Sequence, residues 1–206
     1  AGFGGACVLL LDGFCRFHGN FIGEHPHPHG VKVSRERQEQ AFVATTQGEA
    51  TAVVTLAIVC FKRYDLLPAI VASAKSGTRA PDKYLLLDNG GDLQHPSAYG
   101  LTDAETAVMR PGRNLGTTAA WNAIFDASNG RTVVISDDSV MHTNTIDALV
   151  RAADTTTHEF YYATPGMFGV FLLKRSLFDR VGRFDEGFWP AYFEDNDYHR
   201  RMKLAG

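Results

Sequence analysis

Val53-Val-Thr-Leu-Ala-Ile-Val-Cys-Phe61, continued by Lys62-Arg-Tyr-Asp65 and by apolar residues at Leu66, Leu67, Ile70, Val71 and Ala74, decides the fold. The first nine residues form an unbroken apolar, β-favouring run, the pattern of a strand buried on both faces. The spacing that follows changes to three and four residues and predicts a helix with Asp65 as its N-cap.

Working outward, the same alternation repeats to the end of the chain. Tyr84–Leu87 predicts a second buried strand ending in Asp88-Asn-Gly-Gly-Asp92, and Thr106–Met109 a third. Asn114 is placed to cap a helix with an inward stripe of Ala120, Trp121, Ile124 and Phe125. Arg131–Ile135 predicts a fourth strand, ending in Ser136-Asp-Asp-Ser139, and Thr143 caps a helix carrying Ile146, Leu149 and Val150. Phe160–Ala163 and Phe168–Leu173 read as strands, and Glu194–Leu204 as a last helix. Strands alternating with helices predict an α/β fold, a mostly parallel sheet with helices on both faces. Its ligands belong at the carboxyl ends of the strands.

Upstream the composition breaks. Thr45–Thr51 is a polar linker, so the chain divides near residue 50 into an N-terminal extension, 1–50, and a catalytic-type domain, 51–206. In the extension, His25, His27 and His29 alternate with prolines. Zinc is conceivable there, but no partner sits at finger spacing, and a proline-stiffened loop is the simpler reading. Lys32, Arg35 and Arg37 read as a solvated face.

The whole chain has 206 residues, 45% hydrophobic and 21% charged, with 20 Lys plus Arg against 23 Asp plus Glu, a net charge of −3. That balance excludes a polycation and gives no bulk attraction to nucleic acid or anionic membrane. No apolar run approaches the roughly 18 residues of a membrane helix. Cys7, Cys15 and Cys60 include no CxxC pair and read as reduced thiols, with a Cys7–Cys15 disulfide as the alternative, so a cytoplasmic location is expected. The closing Arg-Met-Lys-Leu-Ala-Gly206 reads as a helix running into its terminal glycine, so the sequence is expected to be a piece of a longer chain.

Polar residues gather at the strand ends. Asp137 and Asp138 are adjacent carboxylates, which need a cation or another partner to offset their repulsion, and oxygen ligands of this kind suit Mg²⁺ or Mn²⁺. Capping the turn before Thr143 is the competing reading. Glu194-Asp-Asn-Asp197 opens the last helix, where acids also favour the helix dipole. They follow the aromatic run Phe188-Trp-Pro-Ala-Tyr-Phe193, a platform suited to a sugar or a base. Asn114-Leu-Gly116 starts a helix whose free N–H groups can meet phosphate, although GxGxxG and GxxxxGK[ST] are both missing from the sequence. No GxSxG supports a serine hydrolase.

Taken together these elements resemble the family 2 glycosyltransferases of the GT-A fold, over about residues 53 to 206. The resemblance is carried by Thr55-Leu-Ala-Ile-Val-Cys-Phe-Lys-Arg-Tyr-Asp-Leu-Leu67, by Leu87-Asp-Asn-Gly-Gly-Asp92, by Arg113-Asn-Leu-Gly-Thr-Thr-Ala-Ala-Trp-Asn122 and by Ile135-Ser-Asp-Asp-Ser139. Most specific is the ordered set Gly169-Val-Phe-Leu-Leu-Lys-Arg-Ser-Leu-Phe178, Val181-Gly-Arg-Phe-Asp-Glu186, Glu194-Asp-Asn-Asp197 and Arg201. The resemblance implies a three-layer GT-A domain that moves a sugar, with inversion, from a UDP-, GDP- or dTDP-sugar to a hydroxyl of a saccharide or other acceptor. It implies Asp195 as the base with Glu194 beside it, and Asp137 and Asp138 as ligands of Mn²⁺ or Mg²⁺. It further implies a substrate site formed by Cys60, Arg63, Asp88, Asn114, Gly116, Asn122, Asp137, Trp189 and Arg201, with Asp88 on the nucleotide base. The acidic motif here is Asp-Asp rather than Asp-x-Asp, and residues 1–50 have no counterpart. Two other readings stay open: a non-catalytic nucleotide-sugar-binding module or remnant, and a sugar-phosphate nucleotidyltransferase, which would want glycines where Cys60-Phe-Lys-Arg-Tyr64 stands.

Overall fold

The apolar run that decides the fold becomes the central strand β3, Val54–Cys60, flanked on both sides by parallel neighbours. The computed structural model describes residues 7–9, 15–16, 53–128, 130–164 and 167–206. The histidine–proline stretch, the basic residues 32–37 and the linker 45–51 lie outside the described residues, as do the side chains of Cys7 and Cys15.

The remaining strands are β1 (Cys7–Leu9), β2 (Cys15–Arg16), β4 (Lys83–Asp88), β5 (Thr106–Met109), β6 (Arg131–Ser136), β7 (Phe160–Thr164) and β8 (Met167–Leu173). They form one sheet in the order β2-β1-β7-β8-β6-β3-β4-β5. β6, β3, β4 and β5 run parallel, and β8 is inserted antiparallel between β7 and β6. Six of the strands lie in the region expected to form the domain, and β1 and β2, from the stretch read as an extension, add a far edge.

The helices are α1 (Leu67–Lys75), α2 (Gly116–Ala127), α3 (Thr145–Thr155), α4 (Arg175–Val181) and α5 (Glu194–Ala205). Because side chains alternate across a strand, each central strand feeds two cores. On one face, Leu56, Ile58, Leu86, Val133 and Ile135 pack with Leu67, Ile70 and Val71 of α1 and Ile146, Leu149 and Val150 of α3. On the other, Ala57, Leu85, Leu87, Val134 and Phe171 meet Trp121, Ile124 and Phe125 of α2, Leu177 and Phe178 of α4, and Tyr198 and Met202 of α5. The result is the expected three-layer α/β sandwich. Ile58, Leu86 and Leu149 are fully enclosed, and each such side chain contributes about 1.5–3 kcal/mol through burial. No helix among the described residues is long and apolar enough to cross a membrane.

Two expected caps are replaced. Asp65 lies in a 3-10 turn, Tyr64–Leu66, and pairs with Arg63 rather than capping α1, which begins with Pro68 in its first turn. The cap position of α3 falls on Asn144, and the Thr143 carbonyl instead accepts the Thr78 N–H at 2.7 Å. The α4 helix is an element that the sequence pattern did not mark.

Candidate active site

Register brings the polar strand ends level. Cys60 pairs with Asp88, Val59 with Ser136, and Leu87 with Met109, so the first residues beyond β3, β4, β5 and β6 share one edge of the sheet.

At the end of β6, Asp137 is half-buried and its Oδ2 accepts the Phe61 N–H at 2.5 Å, which ties β6 to the turn leaving β3. Burial pushes its carboxyl above the usual range. The Phe61 and Arg63 N–H groups pull the other way, and Asp138 adds to the push. Asp138 is exposed, and the Ser139 hydroxyl donates to its Oδ1 at 3.3 Å. Arg63 lies in the field of both acids while paired with Asp65. Cys60, at the end of β3, turns its side chain into the core. Its thiol is fully buried, burial pushes its pKa up, and its Sγ leans on Ile58 O.

At the end of β4, Asp88 is also enclosed, at 3% exposure. Its Oδ1 accepts Tyr64 Oη at 2.9 Å and the Gly91 N–H at 2.8 Å, its Oδ2 accepts Arg110 Nη1 at 2.7 Å, and the Leu93 N–H approaches both oxygens. A carboxylate offers about four acceptor positions, and all are taken by the protein. Asp88 therefore shapes the 89–93 loop, with both of its oxygens bonded within the protein. Burial, with Asp88 adding to it, pushes the Tyr64 phenol up to about 12. The adjacent Asn89 reaches the start of α2, accepting the Leu115 N–H at 2.7 Å and donating to Gly116 O at 3.3 Å. Asn114 accepts the Gly116 N–H at 2.8 Å, one residue out of register with its expected cap.

Gly116 has φ 76°, and a Cβ there would stand 2.7 Å from Trp189 Cδ1 and 2.9 Å from Pro190 O. The Thr117 N–H donates to that same carbonyl at 2.8 Å. The aromatic loop expected to carry substrate is thus seated on the first turn of α2. Further along α2, Asn122 is fully buried. Its Nδ2 donates to Phe184 O and to Glu186 Oε1, and its Oδ1 accepts the Phe184 N–H. All of its side-chain polar atoms are thus engaged in holding the loop at Phe184 and Glu186. On α5, Arg201 Nε pairs with Asp197 and its Nη1 donates to the Arg183 and Val181 carbonyls, while its Nη2 is buried without a partner among the described residues.

Glu194 and Asp195 open α5 behind this loop. Glu194 Oε2 is enclosed without a hydrogen-bond partner, and burial, reinforced by Asp195, pushes its carboxyl up. Asp195 Oδ1 accepts the Asn196 N–H at 2.8 Å. One turn later His199 stands edge-on to Phe160, Tyr162 and Phe168, its Nε2 buried and unpartnered. Burial lowers its pKa while Asp195 raises it. The sequence reading missed Tyr64, Asn89, Arg110 and His199. Of these, only the i, i+4 spacing of His199 from Asp195 was a visible signal.

Among the described residues no group of three or more His, Cys, Asp or Glu side chains converges as a preformed metal cage. Mg²⁺ and Mn²⁺ sites that take phosphate oxygens need only one or two carboxylates. The exposed Asp138 beside the half-buried, charge-disfavouring Asp137 fits that donor set.

The family model described as Glycosyl transferase family 2 matches residues 55–203. No curated protein matches the sequence. Among solved structures, a mannosyltransferase from Pyrobaculum calidifontis in complex with GDP-Man and Mn²⁺ is 15% identical with a TM-score of 0.59, over 73% of this chain and 52% of that one. TarS 1–349 from S. aureus in complex with UDP is 12% identical with a TM-score of 0.61, over 74% and 55%. GalNAc-T7 with UDP, GalNAc and Mn²⁺ is 15% identical with a TM-score of 0.58, over 89% and 53%. The chain spans about half the length of these structures, and at such identities the likeness is one of fold, the GT-A fold.

Proposed function

Since the chain belongs to glycosyl transferase family 2, we propose that its 51–206 domain moves a sugar from a nucleotide-diphosphate sugar to an acceptor hydroxyl, with inversion. The observation that supports this reading is the seating of the aromatic loop, which leads into Glu194 and Asp195, on the first turn of α2, a turn that Asn89 ties to the strand-end edge. Solved structures of similar fold hold GDP-Man, UDP and Mn²⁺, which supports a UDP-, GDP- or dTDP-sugar donor.

In this mechanism Asp195 accepts the proton of the acceptor hydroxyl as that oxygen attacks the anomeric carbon from the face opposite the leaving diphosphate. A positioned carboxylate base contributes on the order of 10²–10⁴ in rate. Asp138, with Asp137 behind it, would hold a divalent ion, Mn²⁺ or Mg²⁺, which supplies Lewis-acid neutralisation of diphosphate charge. Arg63 adds fixed positive charge on that side. Asp88, Asn89 and Arg110 would hold the loops around the nucleotide, with the Arg110 guanidinium bonded to Asp88 and to the Leu93 carbonyl. Trp189 and Asn114 line the substrate side of the α2 start.

A non-catalytic nucleotide-sugar-binding module is the second reading, because Asp137 already has one oxygen engaged by the Phe61 N–H. Thermal unfolding with UDP-, GDP- and dTDP-sugars, each with and without Mn²⁺, tests binding, since saturation at 100 Kd adds about 2.7 kcal/mol of stability. Release of free nucleotide diphosphate from the stabilising donor then separates enzyme from binding module. Stabilisation by none of the donors would overturn both readings.

A further inference from the structure

The loop before Asp195 narrows the chemistry of the acceptor. Trp189, Tyr192 and Phe193 are 62, 78 and 68% exposed, in a molecule whose other rings mostly fill two cores. Tyr192 and Phe193 also adopt φ 84° and 68°, a left-handed conformation that bulky residues take only where surrounding structure enforces it. Those enforcing contacts are present: the Pro190 carbonyl is held by the Thr117 N–H, and the Phe193 carbonyl accepts the Asp197 N–H at 3.0 Å. The fold therefore presents largely exposed apolar rings immediately before the proposed base.

Charge chooses the occupant. Residues 184–197 contain Asp185, Glu186, Glu194, Asp195 and Asp197 and no Lys, Arg or His; Glu186 pairs with Arg183 and Asp197 with Arg201, which leaves Asp185, Glu194 and Asp195 without an ion pair among the described residues. An anionic lipid surface or a polyanion is repelled by acids that carry no compensating cation in this segment. A neutral pyranose is not. Its axial C–H bonds carry slight positive charge that meets the negative face of an aromatic ring, while its hydroxyls donate to the surrounding carboxylates. We infer that Tyr192 and Phe193, with Trp189 behind them, form a stacking platform for a neutral pyranose ring of a saccharide acceptor. This rests on the transferase reading, in which the stacked ring presents its hydroxyl to Asp195.

The test uses the full chain with UDP and Mn²⁺ and four neutral disaccharides, lactose, cellobiose, maltose and diacetylchitobiose, followed by saturation-transfer difference NMR. At least one disaccharide should receive saturation, strongest at the protons of one ring face. The double variant Tyr192→Ala/Phe193→Ala should weaken its affinity about tenfold and leave UDP affinity within about twofold. Tyr192→Gly/Phe193→Gly, which accommodates the positive φ values, should behave the same and guards against a folding artefact. UDP binding without saturation transfer to any disaccharide, or equal transfer in parent and variants, overturns the platform alone. So does aromatic-dependent cosedimentation with vesicles of equal phosphatidylcholine and phosphatidylglycerol, which would make the loop a membrane contact. Failure of the parent to bind any nucleotide diphosphate takes down the transferase reading together with this one.

Discussion

Asn122 and Phe184, 62 residues apart in sequence, exchange two hydrogen bonds: the Phe184 N–H donates to Asn122 Oδ1 at 2.9 Å, and Asn122 Nδ2 donates to Phe184 O at 3.0 Å. The second amide proton reaches Glu186 at 2.9 Å. One buried amide on α2 therefore fixes the start of the loop that ends in Asp195. Phe184 itself stacks on Tyr198 of α5 with ring centroids 3.9 Å apart, so both ends of the loop are anchored in the same core.

Replacing Asn122 by Leu removes all three hydrogen bonds and leaves buried backbone groups of Phe184 unpaired. Each such group costs about 1–3 kcal/mol, so a loss of about 2–4 kcal/mol is expected in urea unfolding. Nucleotide affinity of the folded protein should stay within about threefold. Unchanged stability with a large loss of affinity would return Asn122 to the substrate site.

Gly116→Ala separates loop seating from backbone strain. The new Cβ would stand 2.7 Å from Trp189 Cδ1 and 2.9 Å from a backbone carbonyl, so the loop must move. Gly112→Ala is the control, with φ 72° and open space around the new methyl. Both should lose about 1 kcal/mol from the left-handed conformation, measured by thermal unfolding. Gly116→Ala alone should also reduce turnover, by more than it reduces nucleotide affinity. Equal turnover in the two variants would show that the loop does not depend on this contact.

The legible parts of the fold were those with a repeating pattern. The strands β3 to β8 and the helices α1, α2, α3 and α5 follow from alternation and 3.6-residue spacing, with ends shifted by a residue or so. Phe61, for example, is drawn out of β3 because Asp137 takes its N–H. The seven-residue α4 was illegible because two turns starting directly after β8 give periodicity nothing to repeat. Nor could alternation reveal that β8 runs antiparallel between β7 and β6, a choice made by sheet packing.

The site divides in the same way. The acids at the end of β6 and the start of α5 were visible as motifs. The intramolecular partners of Asp88, Asn122 and Arg201 were not, because they are distant in sequence: Arg110 for Asp88, Phe184 for Asn122 and the Arg183 carbonyl for Arg201. A polar residue in a family motif can hold the site without touching the ligand, and only burial and partners distinguish the two.

Asp138→Asn tests the cation. With Asp138 exposed and lightly bonded, the change should leave stability within about 0.5 kcal/mol. Affinity for UDP or GDP in Mn²⁺ should fall about tenfold or more, while affinity in EDTA should not move. Asp137→Asn should lose both affinity and some stability, because its carboxylate also holds the Phe61 N–H. Parent affinities that are equal with and without Mn²⁺ would reduce the pair to a turn cap.

Glu194 gives a pH signature. Burial, then the neighbouring Asp195, raises its folded-state pKa above the unfolded value. The folded protein then binds the proton more tightly, so this group's contribution is full below the unfolded carboxyl pKa and is lost as pH rises through the folded one. Glu194→Gln removes that loss. Its thermal midpoint should exceed the parent's at pH 7, and the gap should close towards pH 4. A gap that widens in acid would show that Glu194 is ionised and paired in the native state.

Asp195→Asn tests the base itself. Asp195 Oδ1 accepts the Asn196 N–H at 2.8 Å, a bond that an asparagine oxygen can keep, so stability should fall by no more than about 1 kcal/mol. Donor KM should stay within about threefold, because the base acts on the acceptor hydroxyl rather than on the nucleotide. Turnover of the stabilising nucleotide sugar, to water where no acceptor is added, should drop about 100-fold or more in kcat. Glu194→Gln should cost less if Glu194 only orients the loop through the Tyr192 N–H. An Asp195→Asn protein that keeps more than a tenth of parental kcat would move the base elsewhere. Asp197 is held by Arg201 at 2.8 Å and Asp185 by the Gly187 N–H at 2.8 Å, which leaves Glu194, with its enclosed and unpartnered Oε2, as the carboxyl that would take over the role.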